Sequence, residues 1–228
     1  MHYLDKFIFG IYPYIVLTIF VVGCLVRFER EQYSWKSDSS QILYRGQLRF
    51  GNICFHIGIL GLFFGHLFGL LTPIWVWDTL GVTHSAKQIF AMMAGGIMGS
   101  ICLVGILILI HRRFVSARIL ANSTWRDKLL LVWLLLTLLL GLSTIFVSAQ
   151  HTDGHEMVQL MTWVQHTITF QGDAVAYIMN ASSIFKFHLF MGMTVFAIFP
   201  FTRLVHVFSG FAMVSYVTRR WQLVRPRS

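Results

Sequence analysis

Long uncharged apolar stretches dominate this chain. Four of them, residues 7–26, 50–77, 88–111 and 129–152, contain no Asp, Glu, Lys or Arg. A helix needs about 20 apolar residues to cross the hydrocarbon core of a bilayer. A soluble domain usually has about 25% charged residues, whereas this chain has 12%. The stretches therefore predict an all-α integral membrane protein.

A fifth apolar run, residues 187–202, lies directly between Lys186 and Arg203. Long basic side chains near a helix end reach back to the interface, so we extend this span to 182–208. The chain is then a single membrane domain, a five-helix bundle followed by a basic tail at 209–228. The predicted spans are about 7–27, 50–72, 88–111, 128–150 and 182–208.

The distribution of Lys and Arg predicts how the bundle is oriented. Fifteen of the 18 basic residues lie in residues 27–49, 112–128 and 203–228, which face one side, and three lie on the other. Loops rich in Lys and Arg stay in the cytoplasm, so we expect the N-terminus outside and the C-terminus in the cytoplasm. The net charge of +9 follows from this topology. No nucleic-acid-binding motif accompanies it, and a nucleic-acid partner is not expected.

Four histidines fall within two of the predicted spans. His56 and His66 are ten residues apart in the second span, and His188 and His206 are 18 residues apart in the fifth. A helix rises 1.5 Å per residue, so the separations are about 15 Å and about 27 Å. Eighteen residues are five whole turns, which puts His188 and His206 on one face of a continuous helix. Antiparallel helices then pair His66 with His188 on the outer side and His56 with His206 on the inner side.

Two stacked histidine pairs inside a helix bundle provide the axial ligands for two b haems. A single intramembrane histidine can instead serve in a hydrogen bond between helices or in a proton relay. Four histidines that pair by depth favour haem. No CxxCH motif is present, so covalent attachment of haem is not expected.

Small and basic residues surround the predicted pairs. Gly61, Gly65 and Gly69 recur every four residues around His66, and Gly58 adds another glycine to this row. This spacing indicates either a helix-packing face or clearance for a flat ring.

Haem propionates are anionic and prefer basic partners, and three basic residues near helix ends are candidates to bind them. An anchoring role at the membrane interface is the alternative for these residues, which are Lys186, Arg203 and Arg112.

The longest outer connection, residues 150–181, contains the stretch MVQLMTWV at 157–164, which predicts a short interfacial helix. Lys87 is one of the three basic residues on the outer side, which indicates either a local role or a helix-start anchor. The remaining histidines of the loops and helix ends are expected to be mostly solvated. They are His84, His111, His151, His155 and His166.

Several motifs resemble one family over nearly the whole chain, the gamma (cytochrome b) subunit of membrane-bound respiratory nitrate reductase. They are IYPY at 11–14, QYSW at 32–35, NICFHIGILGLFFGHLFGLLTP at 52–73, SAQH at 148–151, FKFHLFMGMT at 185–194 and FPFTRLVH at 199–206.

The resemblance implies a subunit with two b haems. The residues matching the ligands of the outer, distal haem are His66 and His188, and those matching the ligands of the inner, proximal haem are His56 and His206. It also implies a quinol site beside the distal haem. The matching residues there are His66, Gly65, Gly69 and Lys87.

The resemblance further implies a path for electrons in the bacterial cytoplasmic (inner) membrane. Menaquinol or ubiquinol is oxidised at the periplasmic side, protons leave there, and electrons pass through the two haems. The partners are an iron–sulfur beta subunit and a molybdenum alpha subunit, which reduces nitrate. This chain has neither a cysteine cluster nor a soluble domain for those cofactors.

Three other functions compete with this hypothesis. One is a haem b anchor of another quinol-linked enzyme, such as a hydrogenase or formate dehydrogenase. The others are a haem-free transporter with a histidine proton relay and a passive membrane anchor.

Overall fold

A computed structural model describes residues 2–30, 45–116, 119 and 124–208 of the chain. This part of the protein is helical and contains no strand. In chain order the helices are α1 (Tyr3–Arg30, with a π-helical turn at Phe7–Ile11), α2 (Arg45–Leu71), α3 (Ile74–Thr79), α4 (His84–Val115), α5 (Trp125–Ser148), α6 (His155–Ile168), α7 (Ala174–Ile178) and α8 (Ser183–Ile198).

Five of these helices are long and apolar enough to cross a membrane: α1, α2, α4, α5 and α8, the last together with the turn that follows it to Phe201. The predicted all-α class with five spans is confirmed for the described residues. Helices α1, α2, α4 and α5 begin a few residues before the predicted spans, and two of them begin with capped polar turns. The Oγ1 of Thr83 accepts from the backbone N–H of Ala86 at the start of α4, and Thr124 forms a reciprocal capping box with Asp127 at the start of α5. Such caps satisfy the free N–H groups of a first helical turn.

Small residues let α2 approach α4 closely. A Cβ atom at Gly58 would lie within 2.6 Å of backbone atoms of Cys102, and one at Gly61 would lie 2.7 Å from the sulfur of Met98. The contact continues into a core that α4 and α5 share. Its buried members are Cys102, Ile106, Leu130, Leu134 and Leu138. Gly58 and Gly61 therefore form a helix-packing face, one of the two interpretations open for this glycine row.

The short helices close one end of the bundle, which we call the outer end because it corresponds to the predicted outer side. Trp163 of α6 packs edge-on against Phe9 of α1, with ring centroids 6.0 Å apart, and its Nε1–H donates to the Phe9 carbonyl at 3.1 Å. Ala174 and Ile178 of α7 complete this outer core. The short helix predicted at 157–164 is present and is longer than expected, as α6.

The fifth span is not one continuous helix, and the prediction of five regular turns from His188 to His206 was wrong. Helix α8 ends at Ile198, and 3₁₀ turns follow at Phe199–Phe201 and Arg203–Phe208. Pro200 explains the break, because proline lacks an N–H and clashes with the preceding turn. Thr202 between the two turns is extended. His206 therefore lies on a segment separate from α8.

Candidate functional site

The structure brings His56 and His206 together at the inner end of the bundle. Their ring centroids are 6.0 Å apart and their planes are inclined by 74°. The Nδ1 of His56 lies 2.8 Å from the Asn52 carbonyl, one turn back on α2. The Nδ1 of His206 lies 2.6 Å from the Arg203 carbonyl. Both rings are thus held by their own backbone.

The second pair, His66 and His188, lies further out between α2 and α8. These ring centroids are also 6.0 Å apart, with planes inclined by 44°. The Nδ1 of His66 lies 2.7 Å from the Leu62 carbonyl. The Nδ1 of His188 lies 3.1 Å from the carbonyl of Thr137 on α5. The four rings therefore form the same two pairs that their predicted depths in the membrane indicate.

The four hydrogen bonds define the tautomer of each ring. A carbonyl oxygen can only accept, so each Nδ1 is the donor, and in the neutral ring the lone pair is then on Nε2. Histidines that bind metals are commonly oriented in this way, with the other ring nitrogen bonded to a carbonyl or carboxylate. With metal–nitrogen distances of about 2 Å on both sides, two opposed imidazole rings have centroids about 6 Å apart. Both pairs therefore fit a haem iron held by two axial histidines.

Helix α5 supports the outer pair with two residues that the sequence pattern did not reveal. A Cβ atom at Gly141 would lie 2.8 Å from Cε1 of His188, so only glycine leaves room for this ring. Thr137, one turn before Gly141, provides the carbonyl that orients the same ring. The only sequence signal was a single glycine in a leucine-rich stretch.

Open space lies beside the outer pair on the surfaces of α2 and α8. A Cβ atom at Gly65 or Gly69 would meet no atom within 4 Å, in contrast to Gly58 and Gly61. The same holds for Gly192, one turn after His188 on α8. The glycine row of α2 thus differs along its length: its inner part packs against α4, whereas its outer part borders open space. Gly192 is a further residue that the sequence pattern did not reveal.

Lys87 is buried at the outer end of α4, with 6% of its surface exposed. Its Nζ donates to the Gly69 carbonyl at 3.0 Å and to the Met161 sulfur at 2.8 Å, and it lies 4.4 Å from the centroid of the Trp77 ring. Lys87 therefore faces the interior at the end of α2. This position does not fit the alternative of a helix-start anchor exposed at the interface.

A second polar side chain supports the same end of α2. The Nε2 of Gln165, on α6, donates to the carbonyls of Leu70 and Thr72 at 3.0 and 3.1 Å. The last carbonyls of a helix have no partner within it, and Pro73 ends α2 here. Lys87 and Gln165 together satisfy these carbonyls beside the open space at Gly69.

The basic residues predicted to bind propionates have protein partners. The Nζ of Lys186 lies 3.1 Å from Oδ2 of Asp5 and donates to the Met179 carbonyl at 2.8 Å. Arg203 forms an ion pair with Asp127. Arg112 is buried near the inner end of α4, with 4% of its surface exposed. Their role toward propionates stays a prediction.

The outer histidines that were expected to be solvated have neighbours of their own. The Nε2 of His84 lies 3.1 Å from Asp78, and the Nδ1 of His166 lies 2.8 Å from Asp173. The hydrogen bond from His166 holds the pKa of the Asp173 carboxyl below its usual value. These contacts link adjacent segments of the outer surface and lie outside the two histidine pairs.

The fold and the histidine pairs define a class of protein, a helical membrane subunit with paired histidines of the kind that cytochromes b use for haem. The chain belongs to the nitrate reductase gamma subunit family, which matches residues 5–227. The family resemblance seen in the sequence is thereby confirmed, and the chain is a subunit of the nitrate reductase complex.

Curated relatives match over almost their entire length. The chain is 47% identical to the respiratory nitrate reductase 2 gamma chain of Escherichia coli (strain K12), over 100% of this chain and 99% of that one. It is 45% identical to the respiratory nitrate reductase 1 gamma chain of the same strain, over 100% of both chains. It is 35% identical to the nitrate reductase gamma chain of Bacillus subtilis (strain 168), over 98% and 99%.

Proposed function

We propose that this chain is the di-haem b subunit that carries electrons from quinol to the catalytic part of nitrate reductase. His66 and His188 are the axial ligands of the outer, distal haem, and His56 and His206 are those of the inner, proximal haem. One observation carries the proposal: both pairs have the same 6.0 Å ring spacing, and every Nδ1 is bonded to a carbonyl. All four Nε2 atoms are thus left as ligands.

When bound, the two haems supply one-electron transfer across the membrane from the outer to the inner side. The protein's own contribution is to fix the ligands. Three rings are held by carbonyls of their own backbone segment, while His188 depends on Thr137 of a neighbouring helix. Inward movement of each electron against the membrane potential costs about 2.3 kcal/mol per 100 mV, which the oxidation of quinol has to supply.

The quinol site lies at the outer end, beside His66, Gly65, Gly69 and Lys87. The open space next to both glycines gives a flat headgroup access to this end of α2. Lys87 places a cation beside that space, 3.0 Å from the Gly69 carbonyl. A buried ammonium group can donate to a quinol oxygen and stabilise negative charge as the protons leave. The substrate is menaquinol or ubiquinol, and its protons are released on the outer side.

The charge distribution supports the orientation and the partners. The side with 15 of the 18 Lys and Arg residues is the cytoplasmic side, which places the N-terminus outside and His56 and His206 near the cytoplasm. The chain then lies in the bacterial cytoplasmic (inner) membrane. Its basic inner surface binds the iron–sulfur beta subunit, which passes electrons to the molybdenum alpha subunit.

The substitution His188→Ala tests this proposal in the assembled complex. It should remove one of two b haems and abolish nitrate reduction driven by quinol, because the distal iron loses a ligand. Nitrate reduction by an artificial donor that acts from the cytoplasmic side should persist, since that route does not use the distal site. The measurements are haem content and the two activities in the same membranes.

His155→Ala is the matched control, since His155 is an outer histidine whose ring contacts Gln159 at 3.1 Å and belongs to neither pair. It should keep both haems and both activities. If His188→Ala also kept both haems and its quinol activity, the ligand assignment would be refuted. A haem-free parent complex would instead favour a transporter with a histidine relay.

A further inference from the structure

The segment that carries His206 is separate from the long helix before it. We call residues 199–208 the inner segment; it consists of the 3₁₀ turns Phe199–Phe201 and Arg203–Phe208. Short 3₁₀ turns have poorer hydrogen-bond geometry than α-helices. The helical register of α8 therefore does not set the position of the His206 ring. Contacts with other helices must set it instead.

Asp127 provides the first of these contacts. It is the third residue of α5, within the capping box, and its side chain is 9% exposed. Both of its carboxylate oxygens accept from Arg203, through Nε and Nη2 of the guanidinium group. Its Oδ2 also lies 3.2 Å from Nη1 of Arg113 on α4. One carboxylate thus joins α4, α5 and the inner segment, and the two-point contact with Arg203 fixes both distance and orientation.

Arg27 of α1 provides a second contact with the inner segment. Its Nη1 donates to the carbonyls of Pro200 and Thr202 at 2.6 and 2.9 Å. These carbonyls lie where the regular hydrogen bonding of α8 has ended, so a cation from α1 substitutes for the helical N–H donors. Pro200 is buried and Val205 is fully buried, and the backbone between them is therefore fixed by packing as well.

Arg203 connects these contacts to the ring. Its side chain is bound by Asp127, and its carbonyl accepts from Nδ1 of His206. We propose that Asp127 and Arg27 are positioning residues for the inner histidine pair: they hold the inner segment so that the His206 ring faces His56. This inference rests on the proposed haem function.

The test is the substitution Asp127→Asn in the assembled complex. Loss of one carboxylate charge weakens both arginine contacts, so the inner segment should shift and the two inner rings should change their mutual orientation. The low-spin ferric EPR signal of a haem with two axial imidazoles depends on that orientation. One of the two haem signals should therefore shift. It should be the signal that is lost in His56→Ala, because that substitution removes a ligand of the inner haem.

Three further variants make the test specific. Asp127→Glu keeps the charge and should restore the parent signal at least in part. Asp5→Asn removes an ion pair at the outer end, between Asp5 and Lys186 at 3.1 Å, and should leave the inner signal unchanged. Arg27→Gln removes the charge that holds the two carbonyls and should move the same signal as Asp127→Asn. If the Asp127→Asn variant fails to assemble, Arg27→Gln alone tests the inference.

Unchanged inner signals in both Asp127→Asn and Arg27→Gln would overturn the inference, as would an equal change in both haem signals. A parent complex without two haem signals would refute the proposed function instead. Failure of the inference and failure of the proposed function are thus distinguishable.

Discussion

Lys87 has one observed role and one proposed role, and a single substitution would affect both. Its ammonium group satisfies the carbonyl of Gly69, and it lies beside the proposed quinol site. Replacing it by alanine removes a charge-assisted hydrogen bond. Such a bond typically contributes about 1.5–3 kcal/mol of stabilisation. We predict that Lys87→Ala weakens quinol turnover or the binding of quinol-site inhibitors about tenfold or more, while both haems remain. Steady-state kinetics with a quinol analogue and haem quantitation measure the two effects.

Gln165→Ala is the matched control for Lys87. It frees two carbonyls of the same helix end, those of Leu70 and Thr72, and keeps the cation. If Lys87 acted only by capping α2, the two variants would have equal effects on thermal stability and on quinol kinetics. Normal quinol kinetics in Lys87→Ala would contradict the assignment.

The pairing of the histidines could be predicted from the sequence because a helix fixes depth. Each residue adds a constant rise, so His56 and His66 have defined levels once α2 is placed across the membrane. Gly141 and Thr137 could not be predicted in the same way. They lie in a leucine-rich stretch of α5 that gives no indication of its rotation about its own axis, and that rotation decides which residues face His188.

The α2 helix has two parts along its glycine row. Gly58→Ala would place a methyl group against the backbone of Cys102, whereas Gly65→Ala would place it in open space. Overpacking of a close helix contact typically costs about 1–3 kcal/mol. We predict that Gly58→Ala lowers the thermal stability of the complex, and that Gly65→Ala leaves stability unchanged but reduces quinol oxidation.

Thermal unfolding and quinol-driven nitrate reduction, measured on both variants, give the comparison. Gly61→Ala serves as a second packing variant, because its Cβ would meet the flexible Met98 side chain and should cost less. Equal loss of stability at Gly58 and Gly65 would contradict the division of α2 into a packing part and an open part.

The existence of the five spans could be predicted from the sequence, but the ends of the helices and the break in the fifth span could not. Uncharged runs locate the membrane core, whereas capped polar turns extend α4 and α5 beyond it. Pro200 was visible in the sequence as a helix breaker, yet the charge pattern alone favoured one span through it. Arg27 stabilises the break from another helix, a contact between residues far apart in sequence.

In the proposed function, the molecule combines a route for electrons across the membrane with a direction along that route. The histidine pairs lie at two depths between α2 and the chain of α8 with its inner segment, which gives the route. Fifteen of the 18 Lys and Arg residues lie in the segments predicted to face the cytoplasm, and this prediction sets the direction. The short helices α6 and α7 cover the outer end, and α6 places Met161 and Gln165 against Lys87 and the end of α2.

The central claim is that one chain binds two b haems through these two pairs. A reduced-minus-oxidised absorption spectrum of the purified complex, with pyridine haemochrome quantitation per gamma chain, tests it most directly. The account predicts two b haems per chain, falling to one in His66→Ala. A complex from haem-competent cells that contained no haem b, or that kept both haems in His66→Ala, would contradict it.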